Sequence, residues 1–130
     1  MSILVIFRRY PLTLLCIVLV LYLSFFRPPS LGDNEVEGLD KVAHFLMYGG
    51  MCGVLWYEYA RSHARLKAVA IALWAVCAPM ALSGVVELLQ EALTSYRGGE
   101  WADFAANSLG VLSAAAVGYF FIWPRFKMGK

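Results

Sequence analysis

The chain has 130 residues, enough for one domain. Hydrophobic residues make up 61% of it and charged residues only 15%, whereas a typical soluble domain has about 25% charged residues. With a mean hydropathy of +0.65, this composition predicts an integral membrane protein. The net charge of +2 is small and no run of Lys and Arg follows one face, so no nucleic-acid partner is expected.

Four segments qualify, or nearly qualify, as membrane-spanning helices, which need about 20 mostly apolar residues. They cover residues 10–26, 42–59, 68–89 and 102–123. We therefore predict an all-α fold, a four-helix transmembrane bundle that forms a single domain over residues 1–130. Arg8 and Arg9 precede the first segment as in a signal peptide, but no small-x-small cleavage site follows it. We expect it to be a retained anchor.

The basic residues predict the orientation of these helices, because Lys and Arg favour the cytoplasmic side of a membrane. Three of the eleven would lie on one side, namely Arg27, Lys41 and Arg97. The other eight would share the opposite side: Arg8, Arg9, Arg61, Arg65, Lys67, Arg125, Lys127 and Lys130. We therefore expect both termini in the cytoplasm.

Small residues at helical spacing predict close contacts between helices, because small side chains let backbones approach each other in lipid. The fourth segment carries them at intervals of four, at Ala106, Gly110, Ala114 and Gly118. The second segment has Gly49 and Gly53, and Pro79 predicts a kink in the third. Trp56 and Trp123 are expected at the inner membrane interface.

Polar residues gather on one face at the outer ends of the second, third and fourth segments. They are Asp40, His44 and Tyr48; Ser83, Glu87, Gln90 and Glu91; and Asp103 and Asn107. His44, Glu87 and Asn107 each lie one helical turn, about 6 Å, below an outer acidic neighbour. Charged groups cost about 2.5–3.5 kcal/mol at the centre of a bilayer and less near its surface, so those that persist are paired, face a cavity, or both. This shared depth predicts a functional site.

Each candidate residue has a functional and a structural interpretation. His44 can be a general base or a metal ligand, or it can be a packing histidine bonded to Glu87 or Asp103. Glu87 can be a general acid or base, or it can form a structural ion pair with Arg97 or Lys41. Asp103 can orient His44, or it can cap the start of its helix. Only one histidine lies on this side, and zinc sites usually have more, so neither a metal nor another cofactor is expected.

Two stretches resemble the signatures of the VanZ-like family of small bacterial membrane proteins. The first is Asp40-Lys41-Val42-Ala43-His44-Phe45-Leu46-Met47-Tyr48-Gly49, and the second extends from Glu87 to Gly110. The resemblance covers about residues 10–123. The residues that match the family pattern are Asp40, Lys41, His44, Tyr48, Glu87, Gln90, Arg97, Asp103 and Asn107. The resemblance implies a protein of the bacterial inner membrane, and the family's namesake is associated with low-level resistance to teicoplanin, a lipoglycopeptide antibiotic.

The function expected from these features is recognition or modification of a cell-envelope component at the outer face of the membrane. A lipid-linked precursor or a lipid headgroup is the expected substrate. In an enzyme, the catalytic residues would be His44, Glu87 and Asp103. The substrate-binding residues would be Asp40, Lys41, Tyr48, Gln90, Arg97 and Asn107.

Two other classes of protein fit the same sequence. One is a binding protein without turnover, because the sequence lacks a nucleophile elbow, a CxxC pair and an HExxH motif. The other is a small transporter subunit that acts as a homo-oligomer, since four short spans without an inverted repeat are few for a complete transporter.

Overall fold

The computed structural model describes residues 2–25, 39–93 and 101–128, and every regular element within these ranges is helical. The helices are α1 (Ile3–Arg9), α2 (Pro11–Phe25), α3 (Leu39–Ser62), α4 (Ala68–Ala72), α5 (Ala78–Leu93), α6 (Trp101–Val117) and α7 (Trp123–Met128). Two π-helical turns, Leu73–Cys77 and Gly118–Ile122, join α4 to α5 and α6 to α7. The all-α prediction is thus confirmed for the described part of the chain.

Two continuous helical stretches are long and apolar enough to cross a membrane. They are Ala68–Leu89, with a mean hydropathy of 2.1, and Trp101–Phe126, with a mean hydropathy of 1.5. α1 and α2 meet the same test together, but they are bent by 91° relative to each other, so they add a third span only if the bent pair is one span. Large apolar side chains such as Trp74 and Phe120 are exposed on the outside. These features support the prediction of a membrane protein.

The second predicted span, residues 42–59, lies within the longer helix α3, which is not among these candidate spans. The reason is its polar content, because α3 includes Lys41, His44, Glu58 and Arg61. His44 and Glu58 are buried within the protein. The polar face of α3 is therefore turned towards its neighbours.

Side-chain contacts define the relative directions of the helices. Lys41 and Tyr59, near opposite ends of α3, contact Asp103 and Trp123 respectively, so α3 runs parallel to α6 and α7. The start of α2 lies against the last turns of α3, so these two helices are antiparallel. Ser83 and Gly84 of α5 contact the first half of α6, whereas Ile71 and Ala75, earlier in the same helical stretch, pack in one cluster with Trp123 of α7, so this stretch is antiparallel to α6. The ends of α3, α5 and α6 that carry the predicted site therefore lie together.

α3 and α6 approach each other closely at Gly49 and Gly110. A Cβ atom at Gly110 would lie 2.9 Å from the backbone nitrogen of Gly49 and would also meet the carbonyl oxygen of Phe45. Two turns further along the same helical stretch, Gly118 packs against the indole ring of Trp56 from α3. The predicted small-residue contact is confirmed here. Gly53 takes no part in it, since a Cβ atom there would meet nothing within 4 Å.

Tryptophans occupy two different environments. Trp56 and Trp123 are both buried, in an apolar cluster that includes Tyr59 and Ile71. Both were expected at the inner interface, and in the structure they pack against other helices at the end of the molecule opposite Trp101. Trp101, at the other end of the molecule, is 72% exposed.

Both π-helical turns end two residues before a proline. Leu73–Cys77 precedes Pro79, and Gly118–Ile122 precedes Pro124. Proline has no backbone N–H, and its ring clashes with the carbonyl group four residues earlier. A wider turn relieves this clash. The irregularity predicted at Pro79 therefore takes the form of a π turn, and its counterpart before Pro124 was not predicted.

Candidate polar site

Seven polar residues from three helices meet near the ends that α3, α5 and α6 share. We call them the polar cluster: Lys41, His44 and Tyr48 from α3, Ser83 and Glu87 from α5, and Asp103 and Asn107 from α6. All except Lys41 are buried. On each helix they are separated by three or four residues, which places them on one face.

Asp103 connects α6 to α3 through both of its carboxylate oxygens. Its Oδ1 lies 3.1 Å from Nζ of Lys41, and its Oδ2 lies 3.9 Å from Nε2 of His44. The side chain of Lys41 is 37% exposed, whereas that of Asp103 is 8% exposed. Lys41 therefore places a positive charge at the rim of the polar cluster. Asp103 is also in the first turn of α6, where the helix dipole favours a negative charge.

Ser83 and Asn107 connect α5 to α6. Asn107 donates a hydrogen bond from Nδ2 to Oγ of Ser83 at 2.7 Å, and both residues are fully buried. Because Nδ2 makes this bond, the amide oxygen Oδ1 of Asn107 points away from Ser83. Among the described residues, Oδ1 of Asn107 has no hydrogen-bond donor.

Glu87 brings a second carboxylate to the His44–Asp103 pair. One potential ligand atom from each of His44, Glu87 and Asp103 lies within 4.8 Å of the other two. All three residues are buried. An imidazole close to two carboxylates can exchange a proton with one of them, so this triad has the components of an acid–base centre.

Tyr48, one turn after His44 on α3, also belongs to the buried apolar core. It is 1% exposed. Its hydroxyl lies near Ser83 and Glu87 without a well-directed hydrogen bond to any residue that the structure describes. Tyr48 and Asn107 thus each present a buried polar atom to the cluster.

The structure brings together six of the nine residues predicted for the site. They are Lys41, His44, Tyr48, Glu87, Asp103 and Asn107. Asp40 and Gln90 lie on α3 and α5, but their side chains are outside the described part of the structure, and Arg97 lies outside the described residues altogether. Ser83 was placed on the correct face by its spacing from Glu87, although it was not included among the binding residues.

Sequence reasoning missed a third buried acidic residue, which lies near the end of α3 opposite the polar cluster. Glu58 is 0% exposed. It accepts hydrogen bonds from the backbone of α2 and from the hydroxyl of Thr13. Its role is to hold two helices together, and it lies apart from the polar cluster.

The chain matches no protein-family model, no curated protein and no solved structure in the three comparisons with known proteins. The function of the chain is therefore inferred from its sequence and from the geometry of the polar cluster.

Proposed function

We propose that the chain is a VanZ-like protein of the bacterial inner membrane that recognises or modifies a lipid-linked envelope precursor or a lipid headgroup. In this proposal the helices form a four-helix transmembrane bundle with both termini in the cytoplasm. The polar cluster then lies towards the outer face of the membrane. The inward-facing polar side chains of α3 are consistent with α3 being one of the four spans. A helix packed against other helices can cross a membrane with its polar groups turned away from lipid.

The observation that carries the proposal is the convergence of buried ionisable groups from three separate helices. His44, Glu87 and Asp103 have ligand atoms within 4.8 Å of one another. Buried charged groups are destabilising unless they are paired, and one ion pair would have been enough to join two helices. A cluster of this size at membrane depth is characteristic of a functional site.

The chemistry of the rim favours a substrate with an anionic headgroup. Lys41 is the partly exposed member of the cluster and carries a positive charge. Lysine binds phosphate groups as a point charge. A lipid in the outer leaflet would present its phosphate at this depth while its chains remained among the exposed apolar side chains.

An enzymatic reaction at this site would use His44 as the proton acceptor, with Asp103 orienting its ring. Glu87 would supply or receive the second proton. The hydrogen bond between Asn107 and Ser83 would hold α5 against α6 and so keep Glu87 in place. This division of roles follows the usual arrangement in which a general base is oriented by a third group.

Binding without turnover is the second candidate, and one contact favours it. Ser83 is the only serine or cysteine among the seven residues of the cluster, and its hydroxyl already accepts a hydrogen bond from Asn107. A nucleophilic hydroxyl needs an adjacent base. Analysis of envelope lipids for a new product distinguishes the two candidates, because a binding protein produces none.

The test is antibiotic susceptibility in a sensitive bacterial host that expresses the chain. Wild type, His44→Gln and Glu87→Gln are compared at matched membrane levels, with teicoplanin, vancomycin and an unrelated drug. We expect wild type to protect selectively against the envelope-directed drugs and both variants to lose that protection. The envelope lipids of each strain are then analysed.

Two matched controls separate the site from general effects of substitution. His63→Gln changes the other histidine, which stacks on Tyr59 at the far end of α3. Glu91→Gln changes an exposed acid one turn from Glu87 on α5. Both controls should protect as well as wild type. If wild type gives neither protection nor any change in envelope lipids, the envelope proposal is wrong.

A further inference from the structure

The polar cluster contains a set of side chains suited to a divalent metal ion. His44 offers an imidazole nitrogen, and Glu87 and Asp103 each offer a carboxylate oxygen, all within 4.8 Å of one another. We propose that these three residues bind a divalent transition-metal ion, with zinc the best fit. The site is the one in the proposed function, but its test does not depend on any envelope activity.

The distances suit a single small ion. Zinc binds imidazole nitrogen and carboxylate oxygen at about 2.0–2.2 Å, and in a tetrahedral site two of its ligand atoms are about 3.4 Å apart. Nε2 of His44 and Oδ2 of Asp103 are 3.9 Å apart, slightly wider than this separation. The widest separation in the triad is at most 4.8 Å, and closing it takes rotations that move the ligand atoms by distances on the order of 1 Å.

Charge balance favours a divalent ion. Glu87 and Asp103 are both buried, and two neighbouring carboxylates without positive charge would be strongly disfavoured. Lys41 contributes one positive charge, from a side chain that is partly exposed and contacts Oδ1 of Asp103. A divalent ion held by both carboxylates would place positive charge directly beside Glu87 and Asp103. Lys41 would then orient Asp103 from outside, as partners of metal ligands commonly do.

Two buried polar atoms provide the independent indication that this site takes a ligand. Oη of Tyr48 and Oδ1 of Asn107 lack well-directed hydrogen bonds to the part of the chain that the structure describes, and both residues are at most 1% exposed. Tyr48 lies one turn from His44 on α3, and Asn107 lies one turn from Asp103 on α6. A metal with three protein ligands keeps a position for water, and that water would supply hydrogen bonds to such atoms.

The ligand types favour zinc over the alkaline-earth ions. Imidazole suits zinc and other late transition metals, whereas magnesium and calcium prefer sites made of oxygen ligands only. Three protein ligands with an open position is the arrangement of catalytic rather than structural zinc sites. A bound zinc ion would lower the pKa of its water and provide a hydroxide nucleophile, which the cluster otherwise lacks.

The experiment measures zinc binding to the purified full chain in detergent. The protein is stripped with a chelator, and zinc is titrated against a competing indicator in the presence of excess magnesium. We expect about one zinc ion per chain. His44→Gln and Asp103→Asn should weaken binding by about 100-fold or more, because loss of even an outer partner of a metal ligand costs about 10–100-fold.

Controls and a second readout keep the test decisive. His63→Gln and Glu91→Gln should bind zinc as wild type does, and the helical circular dichroism of every variant is checked. For wild type, cobalt replaces zinc, and its visible spectrum should be that of a low-coordinate protein site. A spectrum of the hydrated ion, or equal zinc affinity in His44→Gln, overturns the proposal.

Failure of the metal site and failure of the proposed function give different results. If zinc binds as expected but wild type has no effect on the envelope, the metal site stands and the envelope proposal fails. If wild type protects the host and purified protein binds no zinc, the metal proposal fails. The chemistry of the cluster would then be acid–base alone.

Discussion

At the scale of single residues, Glu58 shows how a buried acid can serve structure alone. Its Oε1 atom accepts hydrogen bonds from the backbone nitrogen of Thr13 at 2.6 Å and from the Thr13 hydroxyl at 2.7 Å, and its Oε2 accepts from the nitrogen of Leu12 at 3.2 Å. Pro11, the first residue of α2, has no N–H to satisfy, and Leu14 donates to Tyr10. Glu58 thus caps the start of α2, where the helix dipole favours a negative charge.

Replacing this acid should destabilise the protein. We expect Glu58→Gln to lower the free energy of unfolding by about 1–3 kcal/mol, because hydrogen bonds to a charged acceptor would be lost or left without a good partner. The measurement is helicity during titration with a denaturing detergent. Glu91→Gln, at an exposed position on α5, is the matched control. Equal stability of the two variants would show that the cap contributes little.

The buried polar residues show what the spacing of residues in the sequence can predict and what it cannot. His44, Glu87 and Asp103 were identified because polar residues recur at four-residue steps on three predicted helices whose outer ends lie on one side. Glu58 was missed because its partners on α2, Thr13 and Leu12, are 45 and 46 residues away in the sequence. A lone acid near a helix end has no periodic pattern, so its partner becomes visible only in the folded protein.

At the scale of helices, the contact between α3 and α6 organises the site. These helices run parallel and touch backbone to backbone where Gly49 meets Gly110. More than one helical turn from this contact, towards the end of α3 that carries the polar cluster, Lys41 and His44 lie close to Asp103. A fixed crossing point therefore sets the separation of the imidazole and the carboxylate.

Enlarging the crossing point should separate α3 from α6. We expect Gly110→Ala to lower the free energy of unfolding by about 1–3 kcal/mol, because the new Cβ atom would meet backbone atoms that cannot turn away. It should also weaken zinc binding, since His44 and Asp103 lie on the two separated helices. Stability is measured by detergent titration and zinc affinity by the competition assay.

Gly53→Ala is the control for this prediction. It lies on the same helix as Gly49, but a Cβ atom there meets nothing within 4 Å. Because alanine favours a helix over glycine by about 1 kcal/mol, this variant should be as stable as wild type or slightly more so. If Gly110→Ala behaves as Gly53→Ala does, the two backbones are not in close contact.

The glycine pattern was a good predictor of one contact and a poor guide to its extent. Gly49, Gly110 and Gly118 all lie against another helix, whereas Gly53 does not. The period of small residues identifies a face, but it does not identify the partner or where the contact ends.

The π turn before Pro124 was not predicted, because proline in the first turn of a helix is commonly accommodated without distortion.

At the scale of the whole molecule, the bend between α1 and α2 explains where the first span begins. The two helices are bent by 91°, so if α2 crosses the membrane, α1 lies nearly in the membrane plane. Ile3 and Phe7 are exposed on α1, and Arg8 and Arg9 follow in its last turn. Such a helix can lie at the interface with its apolar side chains in lipid and its basic ones in water. The composition predicted an anchor but could not predict this bend.

The orientation of the molecule decides which leaflet the polar cluster can reach. The loop between α3 and α4 contains Arg65 and Lys67 and lies at the end opposite the cluster. The acidic segment of the sequence directly precedes the start of α3, which is the end of that helix that carries the polar cluster. Because basic residues favour the cytoplasmic side, we expect the loop between α3 and α4 inside the cell and the segment before α3 outside.

Labelling of single cysteines tests this orientation. In a chain whose native cysteines, Cys16, Cys52 and Cys77, are replaced by alanine, Asn34→Cys should react with a membrane-impermeant maleimide in intact cells. Ala64→Cys, in the loop between α3 and α4, should react only after the membrane is permeabilised. The reverse pattern would place the polar cluster at the cytoplasmic leaflet. An outer-leaflet substrate would then be impossible, whereas the metal site, which depends only on side-chain geometry, would be unaffected.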